Sequence, residues 1–581
     1  METTNALLSA ARAWRDDDPD PVTVAELDAL ITRAEAGDDA ATADLADRFT
    51  GLLQFGTAGL RGALGAGPNR MNRAVVIRAA AGLAGYLTAH VPAPQTPRVV
   101  VGFDARHNSD TFAADTCAVM AGAGIEALVL PRPLPTPVLA FAVRHLGADA
   151  GVMVTASHNP PQDNGYKVYL GGRLTPPEGN GVQIVPPADA QIAAAIDAVT
   201  AVRDVVRADD GWSTLGEDLL DTYLDHAASV VAPDSPRDLS IVLTPLHGVG
   251  GDTAVRALTA AGFTAPYVVP QQAEPDPDFP TVSFPNPEEP GAIDLALAAA
   301  VTRGADLVIA NDPDADRCAV AVLDPAGNPA QSGPKQPAWR MLRGDELGAL
   351  LGSHLIARGL PETADGLPVV MACSIVSSEL LSKIAARAGI AHAETLTGFK
   401  WIARVPGLVF GYEEALGYCV APYLVRDKDG ITTALLIAEL AATLKAAGRT
   451  LIDELDALAV RYGVHATDQL AVRVDDLALI DAAMARLREN PPITLAEQRV
   501  VSVEDLAQPT TGLPPTDGLR YRTDGGIRVV VRPSGTEPKL KCYLEAVVPV
   551  SYGIIGVPGA RSLAGRRLAQ TRSDLQAALG L

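Results

Sequence analysis

Short apolar runs alternate with longer apolar stretches of helical length along most of the chain. The runs that predict buried strands are 99–104, 127–131, 151–157, 240–245, 266–270, 306–312 and 368–374. The stretches that predict helices lie near 73–90, 110–123, 252–262, 291–303, 344–358, 376–388 and 431–447. Strands that alternate with helices indicate βαβ units and largely parallel sheets, in which ligands bind beyond the carboxyl ends of the strands. We therefore expect an α/β pattern that occurs three times.

The pattern changes near residue 460, where the apolar runs become sparser. Residues 527–548 predict two strands around a turn, which indicates a smaller α+β domain at the end of the chain. The sequence therefore predicts four domains, with the boundaries 1–211, 212–328, 329–458 and 459–581.

Charge and composition exclude several classes of partner. The chain has 581 residues, of which 47 are Lys or Arg and 69 are Asp or Glu, so its net charge is −22. Such a charge repels nucleic acids and anionic membranes, and we expect neither as a partner. The sequence contains no apolar stretch of bilayer length and no evident secretory signal, and its five cysteines are far apart. These features predict a cytoplasmic protein with free thiols. Because the chain as a whole is negative, a site for a small anion would need a local cluster of Arg and Lys.

The first motif with chemical potential follows a predicted strand and reads TASHNP. It places Ser157 beside His158, and Lys167 follows a few residues later. A hydroxyl in a turn can carry a covalent group, and a neighbouring imidazole can assist proton movement. A turn rich in Ser and Asn, held by local hydrogen bonds, explains the segment equally well.

A second motif, NDPDADR, begins directly at the end of another predicted strand. Its carboxylates Asp312, Asp314 and Asp316 crowd together, and a divalent cation such as Mg²⁺ would offset their charge with oxygen ligands. The segment is not an EF-hand, because Arg317 and Leu323 stand where that loop needs Gly and Glu. A solvated acidic turn is the alternative, which the buried strand before the motif makes less favourable.

Further loops carry residues that suit phosphates or hydroxyl groups. They are FGTAGLRG with Arg61, TGFK with Thr397 and Gly398, GYEEALGY with Glu413, DKDG with Lys428, and RPSGTEPK with Arg532 and Lys539. In the last of these, Arg, Ser, Thr, Lys and turn amides together could form a phosphate cradle. Taken singly, most of these loops are better explained as ordinary solvated loops.

In this order, the motifs resemble those of the α-D-phosphohexomutase superfamily. The variants FGTAGLRG, DNGYKVY, TPLHGVG, FPNPEE, ANDPDADR, GYEEALGY and DKDG are similar to the subgroup that holds phosphoglucomutase-2 and phosphopentomutase. The resemblance extends over positions 55 to 545, and TASHNP together with DxDxDR is a specific pair. It implies an α/β fold with four domains around a central cleft: three related α/β domains with mixed, mostly parallel sheets, and a smaller α+β C-terminal domain.

The resemblance also implies a role for each candidate residue. Ser157 would carry a phosphoryl group, and the implied catalytic set is Ser157, His158, Lys428, Arg61 and Lys167. Lys428 and His158 both stay open as the general acid/base. The implied metal ligands for Mg²⁺ are Ser157, Asp312, Asp314 and Asp316. The implied substrate-binding set is Arg317, Thr397, Gly398, Glu413, Arg532, Ser534, Gly535, Thr536 and Lys539, with Lys541 as the alternative to Lys539.

The implied activity is that of a phosphosugar mutase, an isomerase that moves a phosphoryl group between C1 and C6 of glucose and/or mannose phosphate. The reaction would pass through a phosphoserine and a sugar bisphosphate, and a sugar 1,6-bisphosphate or its pentose equivalent would be the activator. Ala415 stands where many hexose-specific relatives have Ser, so a phosphopentomutase acting on ribose phosphate is the first alternative. An enzyme with Asp312 as the nucleophile and a non-catalytic sugar-phosphate-binding regulator are further alternatives. Monomer and dimer both stay open.

Overall fold

The computed structural model describes residues 2–56, 59–327, 338–361, 363, 366–474, 476–508, 512–534 and 539–580. The chain forms two compact units, Met1–Met341 with Gly417–Ala442, and Leu342–Leu416 with Thr443–Leu581. The four-domain boundaries stay a prediction.

The first unit begins with three helices that the apolar pattern does not predict. They are α1 (Glu2–Asp17), α2 (Pro21–Glu35) and α3 (Asp39–Arg48). Asp20 and Asp38 cap the second and third helices, where their carboxylates accept backbone N–H groups of the first turn. Leu8, Leu27 and Leu45 belong to a small core that these helices share. The apolar stripe of each helix is narrow among charged residues, which is why hydrophobic spacing alone does not reveal it.

A mixed sheet follows in the first unit. Its elements are β1 (Leu60–Ala63), α4 (Arg73–His90), β2 (Arg98–Phe103), α5 (Ser109–Gly122), β3 (Glu126–Val129), α6 (Thr136–His145), β4 (Ala150–Val154), β5 (Asp163–Leu170), β6 (Val182–Gln183), α7 (Ala188–Asp197) and β7 (Ser213–Thr214). The strand order is β1-β5-β4-β2-β3-β7, with β6 beside β5. Strands β4, β2, β3 and β7 are parallel, whereas β5 is antiparallel to both β4 and β1. The antiparallel return of β5 brings residues after the TASHNP motif back beside the strand that precedes it.

A second mixed sheet completes most of the first unit. Its elements are α8 (Asp218–Ala228), β8 (Ile241–Thr244), α9 (Gly250–Ala260), β9 (Tyr267–Val268), α10 (Asp294–Arg303), β10 (Leu307–Asn311), β11 (Cys318–Asp324) and β12 (Ala338–Met341). The strand order is β12-β11-β10-β8-β9. Strands β9, β8 and β10 are parallel, and β11 and β12 add antiparallel pairs at one edge.

The next segment contains the third α/β pattern. Its elements are α11 (Gly344–Arg358), β13 (Val370–Ser374), α12 (Leu380–Arg387), β14 (Ala391–Thr395), α13 (Phe399–Ile402), β15 (Leu408–Glu413), β16 (Gly417–Cys419) and α14 (Gly430–Ala446). Within the second unit, β13 lies between β14 and β15 and is parallel to both. The segment 417–442 belongs to the first unit.

The last segment is an antiparallel sheet with helices. Its elements are α15 (Leu451–Tyr462), β17 (Val464–Arg473), α16 (Leu477–Glu489), β18 (Thr494–Leu495), β19 (Gln498–Asp505), β20 (Leu519–Thr523), β21 (Ile527–Pro533), β22 (Lys539–Val548) and α17 (Val557–Leu579). The strand order is β17-β22-β21-β20-β19-β18. Strands β21 and β22 form the predicted pair around a turn, with Arg532 opposite Lys541.

The predicted strands and helices are all present, with their ends shifted by a few residues. The expectation of parallel pairing is confirmed in the centres of the three α/β sheets, but it misses the antiparallel strands β1, β5, β11 and β12. Strand β5 shows why: its sequence DNGYKVYL is buried although it contains Asn and Lys. A polar residue on a buried strand hides the strand from a hydrophobicity pattern.

Among the described helices, none is by itself long and apolar enough to cross a membrane. The pair Gly430–Ala446 and Leu451–Tyr462 passes such a test of length and composition only when both are taken together across a sharp bend.

The loop after β8 approaches the loop after β10 main chain against main chain. A Cβ added at Gly248 would lie 2.3 Å from the Cα and 2.4 Å from the carbonyl oxygen of Pro313. The next residue, Val249, donates its N–H to the same carbonyl at 2.8 Å. A side chain at position 248 would therefore displace the loop that carries the three Asp residues.

We expect Gly248→Ala to destabilise the protein by about 1–3 kcal/mol, because overpacking a rigid backbone contact strains it. The control is Gly85→Ala in α4, where an added Cβ meets no atom within 4 Å. In a helix this change should be neutral or stabilising by up to about 1 kcal/mol. Thermal unfolding midpoints of the two variants measure the difference, and equal midpoints would contradict the close approach.

Candidate active site

The loop after β10 gathers three carboxylates in the interior of the first unit. Asp312, Asp314 and Asp316 are buried, with exposed fractions of 0%, 0% and 1%. One oxygen from each carboxylate lies within 4.8 Å of the others. The loop turns tightly because Ala315 has a left-handed backbone (φ 53°) and donates its N–H to the carbonyl of Asp312 at 2.8 Å. This segment is therefore not a solvated acidic turn.

Two buried lysines contact this cluster. The Nζ of Lys167, on β5, lies 2.6 Å from Oδ2 of Asp314 and 3.0 Å from Oδ2 of Asp316. The Nζ of Lys428 lies 3.1 Å from Oδ2 of Asp316 and 3.3 Å from Oδ1 of Asp427. Two predicted cations thus meet the predicted carboxylates, although the lysines are far from them in sequence.

Ser157 projects its hydroxyl group onto the same cluster. Its backbone is left-handed (φ 52°), and its Oγ donates to Oδ2 of Asp312 at 2.7 Å. The Nδ1 of His158 lies 3.1 Å from the same Oγ. The local turn that Ser157 forms with Thr155 is also present, at 2.9 Å from N to Oγ1. The turn holds the backbone, so the hydroxyl of Ser157 stays available for contact with Asp312.

Sequence reasoning missed Arg106, whose side chain binds the backbone of the Ser157 loop. Its guanidinium is buried and donates to the carbonyl oxygens of Ser157 at 2.7 Å, Asn159 at 2.5 Å, Pro160 at 2.9 Å and Asp163 at 3.1 Å. Arg106 follows β2, the parallel neighbour of β4. The pairing of those two strands is the signal that would have placed it beside the TASHNP motif.

The charged groups of the cluster shift one another's pKa values. Burial, reinforced by Asp314 and Asp316, raises the pKa of Asp312 well above its usual range. Burial also raises the pKa of Asp314, but the ammonium group of Lys167 outweighs it and the pKa lies below its usual value. Burial lowers the pKa of Lys167, and the carboxylates of Asp314 and Asp316 reverse that shift. Burial, followed by the cations Arg317 and Arg61, lowers the pKa of His158 well below its usual value, which favours a neutral imidazole.

Residues that the sequence did not single out fix the loop of Lys428. Asp427 accepts the hydroxyl of Tyr169 at 2.8 Å and the amide of Gln183 at 3.0 Å on its Oδ2. Its Oδ1 accepts the backbone N–H of Lys428 at 2.7 Å. Asp427 therefore orients both the backbone and the ammonium group of Lys428.

Arg61 and Arg317 lie at the same site. Arg61, on β1, donates from Nη1 to Oδ1 of Asn159 at 3.2 Å. The Nε of Arg317 lies 3.9 Å from Oδ2 of Asp312 and 3.8 Å from Oδ1 of Asp316. The first unit thus brings together every predicted residue of the catalytic and metal sets, with Arg317.

The second unit holds the predicted sugar loop. Glu413, at the end of β15, accepts the backbone N–H of Gly398 on its Oε1 at 2.6 Å. Gly398 has φ 110°, a conformation that favours glycine. Arg532 on β21 donates to the hydroxyl of Thr397. The structure therefore brings Thr397, Gly398, Glu413 and Arg532 together.

Glu414, beside the predicted Glu413, is a buried acid that sequence reasoning did not select. Its Oε2 accepts the hydroxyl groups of Ser374 at 3.1 Å and Ser377 at 2.9 Å. Burial, with the charges of Glu413 and Asp345, raises its pKa to about 7. Near neutral pH Glu414 is therefore partly protonated.

The predicted phosphate cradle is described only in part. The backbone N–H of Ser534 donates to the carbonyl of Lys539 at 2.8 Å. Gly535 and Thr536 lie outside the described residues. Lys541 stands opposite Arg532 in the β-ladder. The choice between Lys539 and Lys541 as a phosphate ligand stays a prediction.

The donor set of the first unit fits a divalent metal ion. Oδ1 of Asp314 and Oδ1 of Asp316 are buried and have no hydrogen-bond partner within the described part of the chain. Buried polar atoms are nearly always satisfied, so these oxygens indicate a further ligand. Carboxylate oxygens beside a hydroxyl that can carry phosphate are the ligands that Mg²⁺ prefers.

Sequence models of one protein family match most of the chain. Four sequence models described as phosphoglucomutase/phosphomannomutase alpha/beta/alpha domains I, II and III and C-terminal domain match residues 52–203, 221–326, 343–462 and 470–550. The chain belongs to the phosphoglucomutase/phosphomannomutase family. It is therefore a phosphosugar mutase, an isomerase that transfers a phosphoryl group within a sugar phosphate, and magnesium binding is typical of this family. The predicted family resemblance and fold class are confirmed.

Individual relatives of this mutase carry several names. A "Probable phosphomannomutase" of Haemophilus influenzae is 46% identical over 82% of this chain and 93% of its own. A "Phosphoribomutase" of Saccharomyces cerevisiae is 36% identical over 92% of this chain and 91% of its own. The crystal structure of a phosphoglucomutase/phosphomannomutase family protein from Burkholderia thailandensis superposes with a TM-score of 0.65 at 19% identity, covering 90% and 97% of the two chains. That structure shows the shared fold.

We expect Mg²⁺ to raise the thermal midpoint of the mutase through the three-Asp cluster. A ligand at about 100 times its Kd adds about 2.7 kcal/mol to stability. In Asp312→Asn this gain should be lost, while the midpoint without Mg²⁺ should not fall, because one of three repelling charges is removed. Thermal scans with EDTA and with Mg²⁺ measure both effects.

The matched control is Asp225→Asn, an exposed position on α8 of the same unit. Its Mg²⁺ response should equal that of the parent protein. An equal Mg²⁺-dependent rise in Asp312→Asn would place the metal elsewhere.

Proposed function

We propose that the mutase interconverts the C1 and C6 phosphates of glucose and/or mannose through a phosphoryl group on Ser157. The observation that carries the proposal is the 2.7 Å contact between Oγ of Ser157 and Oδ2 of Asp312, inside a cluster of three buried carboxylates and two lysines. A buried serine hydroxyl at a strand end, surrounded by charges that can hold a phosphoryl group, suits phosphoryl transfer.

The proposed reaction has two balanced halves. In the first, the bond between phosphorus and Oγ of Ser157 breaks as a bond forms to a free hydroxyl oxygen of the sugar monophosphate; that hydroxyl gives its proton to a base, and Oγ takes up a proton. In the second, Oγ of Ser157 gives up its proton and bonds to the phosphorus of the other phosphate, and the sugar oxygen that leaves this phosphorus takes up a proton. Positioning and charge neutralisation supply most of the catalysis in such transfers.

Residues of the first unit can serve each step. Lys428 and His158 are the candidates for the base, since one is held by Asp427 and the other contacts Oγ of Ser157. Lys167, Arg61 and Arg317 supply positive charge near the phosphoryl group. A cationic group fixed before the reaction costs no reorganisation when charge develops.

The proposed cofactor is Mg²⁺ on Asp312, Asp314, Asp316 and the group carried by Ser157. When bound it would supply a fixed positive charge that offsets the charge of the phosphoryl group. The proposed activator is a sugar 1,6-bisphosphate, which would phosphorylate Ser157 before the first turnover.

In the second unit, we assign residues to recognition of the sugar and of the phosphate that is not transferred. Carboxylates accept hydrogen bonds from hydroxyl groups, so Glu413 is assigned to the sugar, with Thr397 and Gly398 in support. Arg532, Ser534, Gly535, Thr536 and Lys539 are assigned to the phosphate, since Arg and backbone amides suit an oxyanion. The hydrogen bonds among Thr397, Gly398, Glu413 and Arg532 support this assignment.

A pentose phosphate is the second candidate substrate. Ala415 lacks the hydroxyl group that the resemblance implies for hexose-specific relatives, and a relative named phosphoribomutase is 36% identical.

The proposed location is the cytoplasm, because all five cysteines are buried and free, which suits a reducing compartment.

We expect Ser157→Ala to lower kcat by about 10⁴-fold or more, because the group that carries the phosphoryl is removed. The thermal midpoint should stay close to that of the parent. Steady-state assays with Mg²⁺ and a trace of glucose 1,6-bisphosphate measure the rate, and intact-protein mass spectrometry measures the phosphoryl group on the enzyme.

The control, Ser213→Ala, changes an exposed serine of the same unit. It should keep both activity and phosphorylation. Residual turnover of Ser157→Ala near the parent rate would overturn the assignment, and a phosphoryl group on Asp312 would establish the alternative nucleophile.

We expect a higher kcat/KM on glucose 1-phosphate or mannose 1-phosphate than on ribose 1-phosphate. Ala415→Ser should raise the ratio of hexose to pentose kcat/KM by about fivefold, the value of one net hydrogen bond. Ala447→Ser, an exposed position of the second unit, is the matched control. A preference of the parent enzyme for ribose 1-phosphate would replace the hexose proposal by the pentose one.

A further inference from the structure

A cavity of about 430 Å³ that is open to the surface lies in the first unit beside the N-terminal helices. Trp14 and Asp17 of α1 line it, together with Phe49, Leu52 and Arg78, the last of which lies on α4. None of these residues belongs to the candidate active site. The volume is in the range of cavities that hold small organic ligands.

Arg78 is an unpaired buried cation on the wall of this cavity. Its exposed fraction is 8%, and its Nε is buried without a hydrogen-bond partner among the described residues. Arg78 also forms no ion pair with a described residue. The carboxylates of Asp17 and Asp197 attract its charge only at longer range. A buried N–H without a hydrogen-bond partner is costly, and an acceptor from outside the chain would satisfy the Nε of Arg78.

Trp14 supplies a second donor in the same place. Its indole Nε1 is also buried and has no hydrogen-bond partner in the described part of the chain. Two unsatisfied donors on one cavity wall are unusual, because buried donors are nearly always bonded. A ligand that accepts hydrogen bonds from both would satisfy them.

The charges on the cavity wall favour a ligand with one negative charge over a ligand with two. Arg78 is the one cation among the described residues that line it, and the carboxylate of Asp17 lies on the same wall. The backbone N–H groups of Val202 and Arg203 hold that carboxylate in place at 2.7 Å and 3.0 Å. Asp17 would repel a dianion such as a phosphate monoester more strongly than an anion with a single charge. Phe49, Leu52, Pro68 and two alanines of α1 give the remaining wall an apolar character.

We propose that this cavity binds a small organic acid through one carboxylate, with its apolar body against Phe49 and Leu52. The carboxylate would accept hydrogen bonds from Arg78 and from the indole of Trp14. The site includes residues that precede position 52, where the match to the family's domain I begins. It is therefore additional to the mutase site and does not rest on the proposed substrate.

The experiment titrates the full-length protein with benzoate, 3-methylbutanoate and inorganic phosphate by isothermal calorimetry. We expect saturable binding of a carboxylate with a Kd below about 1 mM and weaker binding of phosphate. Arg78→Met should weaken carboxylate binding about tenfold or more, and Trp14→Phe about threefold. Arg207→Met, at an exposed position of the same unit, is the matched control and should leave the Kd unchanged.

Three results would overturn the proposal: neither carboxylate saturates below about 10 mM, phosphate binds more tightly than both, or Arg78→Met binds as the parent does. Should Arg78→Met fail to fold, the indole N–H resonance of Trp14 gives an independent test. Its assignment comes from Trp14→Phe. A shift on addition of benzoate supports the proposal, and an unchanged resonance overturns it.

Discussion

The contact between three buried carboxylates and two buried lysines is the constraint on which the rest of the first unit depends. Lys167 lies 2.6 Å from Asp314 and 3.0 Å from Asp316, and Lys428 lies 3.1 Å from Asp316, so their ammonium groups offset the repulsion within the cluster. Asp312 instead accepts the hydroxyl group of Ser157 at 2.7 Å. Removing one partner of a buried ion pair leaves an uncompensated charge, which costs about 3–5 kcal/mol. The cluster therefore holds together three separate segments: the loop after β10, strand β5 and the loop before α14.

Such a charge cluster requires a backbone that does not move. Ser157 and Ala315 both have left-handed backbone conformations, which side chains other than glycine adopt at a cost. At the serine loop, Arg106 offsets this strain by donating hydrogen bonds to four carbonyl groups. The hydrogen bond from the N–H of Val249 to the carbonyl of Pro313 stabilises the Asp loop in the same way. The chemistry of the site thus depends on groups that are not themselves reactive.

The sequence was sufficient for the residues that carry unusual chemistry at strand ends, and insufficient for those that support them. Ser157 and the three Asp residues stand in motifs that directly follow apolar strands, so a local pattern finds them. Arg106 acts on carbonyl groups of a distant loop, and Tyr169 acts through a hydrogen bond to Asp427, so none of the three carries a local signature. The helices α1 to α3 escaped prediction because their buried stripes are narrow, and β5 because its buried face contains Lys167. Pairing and burial, which depend on distant residues, decided each of these cases.

The division of labour between the two units has a consequence for substrate choice. The predicted catalytic and metal residues, with Arg317, lie in the first unit, whereas Glu413, Thr397 and Arg532 lie in the second. On the proposed assignment of the sugar to Glu413, a change in the second unit would alter the preferred sugar without disturbing the charge cluster. A single hydroxyl, such as the one missing at Ala415, contributes about 1 kcal/mol, which is less than a tenfold preference. Strong selection between hexose and pentose must then combine several contacts. The buried Glu414, which is partly protonated near pH 7, is next to Glu413 in sequence and changes the charge beside it.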